Sequence, residues 1–179
     1  MNQKATLIFD PNRRPEQLAY VAARTEILHE NGNQAWVAID DGLAQRFADQ
    51  GLVVQFYEDA DWIETPAAYF DPLENEPQSP ESLTATFPSE GGVAYVIVQF
   101  IAQPDVDWLN QIEDLGGIYV QDQPVHATVF RLTEAQIAAV RALSFVRWAG
   151  LYHPVFALSF VLAGRAEPVE AIQLRGRTV

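Results

Sequence analysis

Residues 34–58 read QAWVAIDDGLAQRFADQGLVVQFYE, and the predicted fold depends on this stretch. Its two ends, 34–39 and 52–58, are rich in apolar, β-branched and aromatic residues, which predicts two strands. Asp40 or Asp41 can cap a helix over residues 42–50, and Gly51 can end that helix. The stretch therefore predicts strand, helix and strand in succession.

Upstream of this stretch, the same signals extend the pattern. Residues 5–10 are predicted to form a strand, and residues 15–24 form a helix that opens on a proline, where the missing N–H costs nothing. A strand over 26–30 then leads through Asn-Gly-Asn at 31–33 into the next strand, and this tripeptide is a strong hairpin signal. The predicted order is β-α-β-β-α-β.

The second half of the chain repeats this order. Its predicted elements are strands at 93–101, 118–121, 127–132 and 145–150 and helices at 105–115 and 134–143. Thr133 and Gln136 have the spacing of a capping box at the start of the last helix. At an offset of 92 residues, 35–37 falls on 127–129 in the same apolar phase, so we expect an internal repeat.

The predicted organisation has four parts. Residues 1–62 form the first βαββαβ unit, and residues 93–160 form the second. Between them, 63–92 contains five prolines and no lysine or arginine, which predicts an acidic linker whose aromatic parts pack down. The tail at 161–179 holds one further candidate strand at 169–174. The expected fold class is α+β, with tandem ferredoxin-like units, antiparallel sheets and helices on one face.

Composition narrows the possible functions. The formal net charge is -13, so we expect no nucleic-acid partner and no attachment to an anionic membrane. Cysteine is absent, which excludes disulfides, thiolate nucleophiles and cysteine zinc sites. No residue pattern indicates a cofactor.

Catalytic patterns are missing as well. No serine lies in a Gly-x-Ser-x-Gly context, and the three histidines, His29, His126 and His153, are far apart in sequence. A metal between His29 and His126 is conceivable, but no carboxylate spacing joins them in a motif, so we expect no metal site. We therefore predict that the chain is not an enzyme by itself.

One connected pattern in the second half resembles a known family. It consists of YVIVQF at 95–100, Trp108, LGG at 115–117 and VRALSFVRWAGLYHP at 140–154. This pattern resembles the N-terminal prodomain region of subtilisin-type serine peptidases, including fervidolysin-like ones. Residues 54–59, VQFYED, resemble the closing strand and acidic exit of a peptidase propeptide inhibitor domain.

The resemblance implies a non-catalytic module that binds a subtilisin-type catalytic domain, in cis or in trans, as an intramolecular chaperone, inhibitor or spacer. In such propeptides the sheet packs against two enzyme helices, acids after the last strand cap those helices, and an extended tail lies in the substrate cleft. Here the candidate tail is 60–65, and 152–156 has the matching position in the second unit. The implied protein-binding residues are Glu58, Asp59, Trp62, Tyr152, His153, Pro154 and Phe156.

A second reading stays open at this point. Tandem ferredoxin-like units also occur as small-molecule-binding domains or α+β barrels, for which we would expect a polar pocket lined by His29, His126 or Trp36. The expected compartment depends on which of the two readings holds. We expect the chain to be secreted or periplasmic if it is a piece of a peptidase precursor, and cytoplasmic otherwise.

Overall fold

The computed structural model describes residues 2–88 and 91–157, which form two compact units. The first unit runs to Ala60 and includes Ile101–Asp105. The second comprises Asp61–Phe100 and the described residues from Val106 onward. Both units combine helices with antiparallel sheets, so the predicted α+β class is confirmed.

The first unit contains four strands and two helices. In chain order they are β1 (Gln3–Ile8), α1 (Arg14–Ala22), β2 (Ile27–Asn31), β3 (Gln34–Ile39), α2 (Asp41–Asp49) and β4 (Val53–Phe56). The strands lie in the order β2-β3-β1-β4, and every neighbouring pair is antiparallel.

Alternation along the central strands creates the core of this unit. Ala5 and Leu7 of β1 point to the same face and pack in one buried cluster with Val21 of α1 and Phe47 of α2. Both helices therefore cover the same face of the sheet. Burying a side chain as large as Phe47 contributes roughly 1.5–3 kcal/mol.

Three local features of this unit, a turn, a helix cap and a helix end, lie where the sequence predicts them. The β2–β3 hairpin turns at Gly32, whose φ is 58°, a conformation that glycine adopts without strain. The Asp40 side chain caps α2 by accepting a hydrogen bond from the Leu43 N–H at 2.8 Å. Gly51, at a φ of 81°, follows the end of the helix.

The second unit contains a larger set of elements. In chain order they are β5 (Ile63–Glu64), β6 (Tyr69–Phe70), a 3-10 turn (Glu81–Leu83), β7 (Val93–Phe100), α3 (Val106–Asp114), β8 (Ile118–Gln123), β9 (Ala127–Thr133), α4 (Glu134–Arg141), β10 (Val146–Leu151) and α5 (Pro154–Ala157). The main sheet has the strand order β10-β7-β9-β8 and is antiparallel throughout. A separate hairpin consists of β5 and β6.

Even- and odd-numbered residues of β7 point to opposite faces of the main sheet. Phe100 of β7 points to the helix side, where its ring lies 6.0 Å from the ring of Trp108 on α3. The ring of Phe145, just before β10, stacks on Trp108 at 4.9 Å. On the opposite face, Ile97 of β7 and Val129 of β9 are opposite each other in register and belong to a different buried cluster.

Segment 63–92, expected to link the two units, instead supplies the second unit with core residues. Ile63 and Phe70 are essentially fully buried, and both pack in the cluster that contains Ile97. The physical reason is that these apolar side chains bury themselves on the face of the main sheet that α3 and α4 leave uncovered. The candidate strand at 169–174 and the rest of the tail at 161–179 lie outside the described residues.

Candidate functional site

The hairpin of β5 and β6 lies on the second sheet, and with its flanking residues 61–72 we call it the strap. A four-residue turn from Thr65 to Ala68 closes the hairpin, with proline at its second position. The Thr65 N–H donates to the Ala68 carbonyl at 2.8 Å, and the Thr65 hydroxyl accepts from the Ala68 N–H at 2.9 Å. The Glu64 N–H also bonds the Pro124 carbonyl at 2.9 Å, which ties the strap to the loop after β8.

A charged network fixes the strap to the sheet. Arg147, at the bulge of β10, donates both terminal nitrogens to the two carboxylate oxygens of Asp71, each at 2.8 Å. Its Nε lies 3.0 Å from the carboxylate of Asp61, and Nη1 also donates to the Gln99 side-chain oxygen at 2.8 Å. Gln99 in turn donates to the Asp61 carbonyl at 2.7 Å. One arginine thus contacts both ends of the strap.

Burial makes this network costly to break. The side chain of Asp71 is only 8% exposed and that of Arg147 only 16%, while Gln99 is fully buried. Charges removed from water need partners with good geometry, and the two-point pairing of a guanidinium with a carboxylate supplies it. The bulge matters because it adds a residue to β10 and re-aims the arginine.

Apolar residues close the same sheet face beside the network. Phe70 of the strap and Phe156 of α5 have ring centroids 5.4 Å apart. Both are buried in one cluster with Ile97 and Val129 of the sheet. The chain therefore covers with its own residues part of the face that a propeptide sheet would offer to an enzyme.

A cleft of about 460 Å³ runs along β10, the edge strand of the second sheet, and we call it the β10 cleft. It lies between α4, β10 and residues of the segment before β7. Its lining residues include Glu76, Phe87, Glu134, Arg141, Trp148 and His153. The Arg141 guanidinium donates to the Ala149 carbonyl from two nitrogens, at 2.9 and 2.6 Å. An arginine on an outward-facing carbonyl protects an edge strand from pairing with another chain.

Two ionisable groups in the β10 cleft are perturbed by their surroundings. Burial raises the pKa of the Glu76 carboxyl above its ordinary value, and the positive charge of Arg141 opposes that rise. Burial lowers the pKa of His153. The Nδ1 atom of His153 accepts a hydrogen bond from the Ala85 N–H at 2.9 Å, so the neutral ring carries its proton on Nε2.

The residues implied by the resemblance in the first unit lie directly after β4. Glu58 and Asp59 are both exposed, as acids that cap a partner's helices must be. The expected tail at 60–65 is not a free extended segment, because from Asp61 onward it belongs to the second unit. Ala60, Ile63 and Thr65 are buried, and Ile63 pairs with β6.

Trp62 and the predicted residues after β10 also pack within the second unit. The ring of Trp62 stacks on that of Tyr69 at 4.7 Å. Tyr152 is partly exposed with its ring edge on to Phe156 at 6.1 Å. Pro154 begins α5, and Phe156 is 1% exposed. The rings of Tyr152 and His153 both contact that of Phe156 in the second unit, whereas Glu58 and Asp59 belong to the first unit.

Sequence reasoning missed the residues that matter most to the strap. Gln99 and Arg147 lie within the VQF and VRW motifs, but nothing in the sequence pairs them with Asp71. The available signal was a polar residue inside each of two apolar strands, since a buried polar side chain needs a partner.

The described part of the chain holds neither a metal-binding cluster nor a membrane-spanning helix. Within residues 2–88 and 91–157, no group of three or more His, Asp or Glu side chains is placed to hold a metal ion. His29 lies 3.2 Å from the carboxylate of Asp105, and His126 is buried. None of the helices in the described ranges has the length and apolar character needed to cross a bilayer.

One family model matches the chain, over residues 65–153, which are 89 of the 179 residues. Its description is "Domain of unknown function (DUF8729)". The matched range begins at the turn of the strap and ends after β10, so it includes β6 and the main sheet of the second unit but not β5. No curated protein and no solved structure matches the chain.

Proposed function

We propose that the chain is a non-catalytic, prodomain-like module that binds a subtilisin-type catalytic domain without occupying its substrate cleft. In each unit the strands lie in the order fourth, first, third, second, with antiparallel neighbours. This order and the βαββαβ succession support a tandem ferredoxin-like arrangement. The likeness of the VQF and VRW motifs to peptidase prodomains supports the choice of partner.

One observation favours binding without inhibition of the peptidase. A product-like inhibitor needs an extended segment whose backbone is available to pair with the cleft edge. Residues 60–65 are instead engaged within the chain, since Ile63 pairs with Phe70 and the Glu64 N–H bonds the Pro124 carbonyl. The backbone of this segment is therefore not free to pair with the substrate cleft of a partner.

The proposed contact surface is the acidic exit of β4. Glu58 and Asp59 are exposed neighbours, and a carboxylate at a helix N-terminus contributes about 0.3–1 kcal/mol when exposed. Two such contacts are weak, which fits a spacer or docking role better than a tight inhibitor.

Binding can be tested with an immobilised subtilisin-type catalytic domain whose serine nucleophile is replaced, so that the chain is not digested. We expect saturable binding that Glu58→Ala with Asp59→Ala weakens about three- to thirty-fold. The control carries Glu16→Gln with Glu26→Gln, which removes two exposed acids elsewhere in the first unit and should leave the affinity unchanged. Absence of binding, or equal weakening by the control pair, would refute the proposed contact.

A further inference from the structure

The floor of the β10 cleft is an indole ring that only a glycine permits. A Cβ atom added at Gly150 would lie 2.1 Å from Cζ2 of Trp148, so the six-membered part of the indole lies directly against the Gly150 backbone. Both residues line the cleft, together with the ring of Phe87. The cleft thus offers an aromatic surface of the kind that holds a flat or alkyl group.

Among the side chains around this floor, acidic groups outnumber basic ones. Glu76 and Glu134 both line the cleft and have carboxylates, whereas Arg141 supplies one positive charge and His153 is neutral at pH 7. The guanidinium of Arg141 is already bonded to the Ala149 carbonyl through two nitrogens. One carboxylate charge therefore remains in excess, and an anionic ligand would be repelled.

We propose that the β10 cleft binds a single arginine or lysine side chain of a partner polypeptide. The aliphatic stem lies on Trp148 and Phe87, and the cationic end lies among the carboxylates of Glu76 and Glu134. The stem gains about 25 cal/mol per Å² of apolar surface that it buries on the two rings, and an exposed ion pair contributes about 0.2–1 kcal/mol. A cleft of this size falls within the range of small-ligand sites in proteins, and a basic side chain is well within its capacity.

Other occupants fit less well. Addition of a peptide strand to β10 would have to displace Arg141 from the Ala149 carbonyl. An entirely apolar ligand would leave the carboxylate of Glu76 partly desolvated without a new partner, and that carboxyl already has a raised pKa. A cation with an alkyl stem satisfies both the rings and the acids. This inference rests on the cleft alone, so its failure would leave the proposal for Glu58 and Asp59 standing.

The test is a titration of the full chain with N-acetyl-arginine amide, followed by ¹⁵N–¹H NMR. We expect saturable shifts of the Trp148 indole N–H and the Gly150 amide, with a dissociation constant on the order of 1 mM. N-acetyl-norleucine amide, which has an uncharged alkyl side chain, should bind several-fold more weakly.

Variants separate specific binding from general attraction to an acidic protein. Glu76→Gln with Glu134→Gln should raise the dissociation constant about two- to thirty-fold, and each single change should have part of that effect. The control, Glu16→Gln with Glu113→Gln, removes two exposed acids outside the cleft and should leave the constant unchanged. No saturable shift, equal binding of the norleucine compound, or equal weakening by the control would overturn the proposal. Signals remote from the cleft report in each spectrum that the variant is folded.

Discussion

Arg147 and Asp71, 76 positions apart in sequence, form a two-point ion pair in which both nitrogen–oxygen distances are 2.8 Å. The pair joins the strap to the edge strand of the second sheet. Asp61 and Gln99 complete the set of partners around the guanidinium. The strap is therefore a fixed part of the second unit, and its position determines which surfaces remain for a partner.

Replacing Arg147 with Met should destabilise the second unit by about 2–4 kcal/mol, because the change leaves the buried carboxylate of Asp71 without its partner. The loss should appear as a lower urea midpoint and as faster hydrogen exchange at the amides of Ile63 and Phe70. Arg131→Met is the matched control, since Arg131 is exposed on β9 of the same sheet, and it should change stability by less than about 0.5 kcal/mol. Equal effects of the two substitutions would show that the network does not hold the strap.

Replacing Gly150 with Ala should cost about 1–3 kcal/mol, because the new methyl group would overlap the indole of Trp148. The near-ultraviolet circular dichroism of the folded variant should change as the indole moves. Gly42→Ala serves as the control. At that position in α2 the nearest atom to a Cβ is an Asp40 side-chain oxygen at 3.4 Å, so stability should change by no more than about 1 kcal/mol. An unchanged Gly150 variant would mean that the indole does not lie against the backbone.

Replacing Thr133 with Ala should lower stability by about 1 kcal/mol. The hydroxyl of Thr133 accepts from the Gln136 N–H at 3.3 Å, and the Gln136 side chain accepts from the Thr133 N–H at 2.8 Å. Thr133→Ser retains the hydroxyl and should recover most of the loss in urea unfolding. If serine and alanine are equally destabilising, the capping box contributes little to α4.

The pH dependence of stability should include a contribution from His153. Its pKa is lowered in the folded protein, so the unfolded chain binds the proton more readily. Stability is then lost as the pH falls through the unfolded value of about 6.5. Protonation also removes the acceptor for the Ala85 N–H. Glu76, Glu134 and Arg141 line the same cleft. Burial raises the pKa of Glu76, so that carboxyl contributes with the opposite sign on acidification, and it is present in both the wild type and a His153 variant.

The measurement is the urea midpoint at pH 7.5 and pH 5 for the wild type and for His153→Asn. The Asn side-chain oxygen can accept the same hydrogen bond but does not titrate, so the variant should lose less stability on acidification. An identical loss in the two proteins would remove His153 from the explanation.

Local structure could be predicted because its causes are close in sequence. The Asp40 cap, the turn at Gly32 and the capping box of Thr133 and Gln136 each depend on residues no more than three positions apart, and all three predictions are confirmed. The strap could not be predicted in this way. Its main anchor joins Asp71 to Arg147, and its proline-rich acidic composition is equally typical of a linker.

The same limit applies to the candidate sites. The exposure of Glu58 and Asp59 agrees with their position at a strand exit. The β10 cleft was not predicted, because Glu76 and Trp148 come from distant parts of the chain and meet only when the segment before β7 packs beside α4 and β10. Tertiary contacts of this kind leave no periodic signal in a single sequence.

The most direct measurement is the activity of a subtilisin-type peptidase on a short fluorogenic peptide, with binding of the chain recorded in the same mixture. We expect the chain to bind while the peptidase retains full activity at saturation, because residues 60–65 stay paired within the second unit. Competitive inhibition at concentrations that match the binding curve would contradict this expectation. It would mean that the segment leaves the strap and enters the substrate cleft.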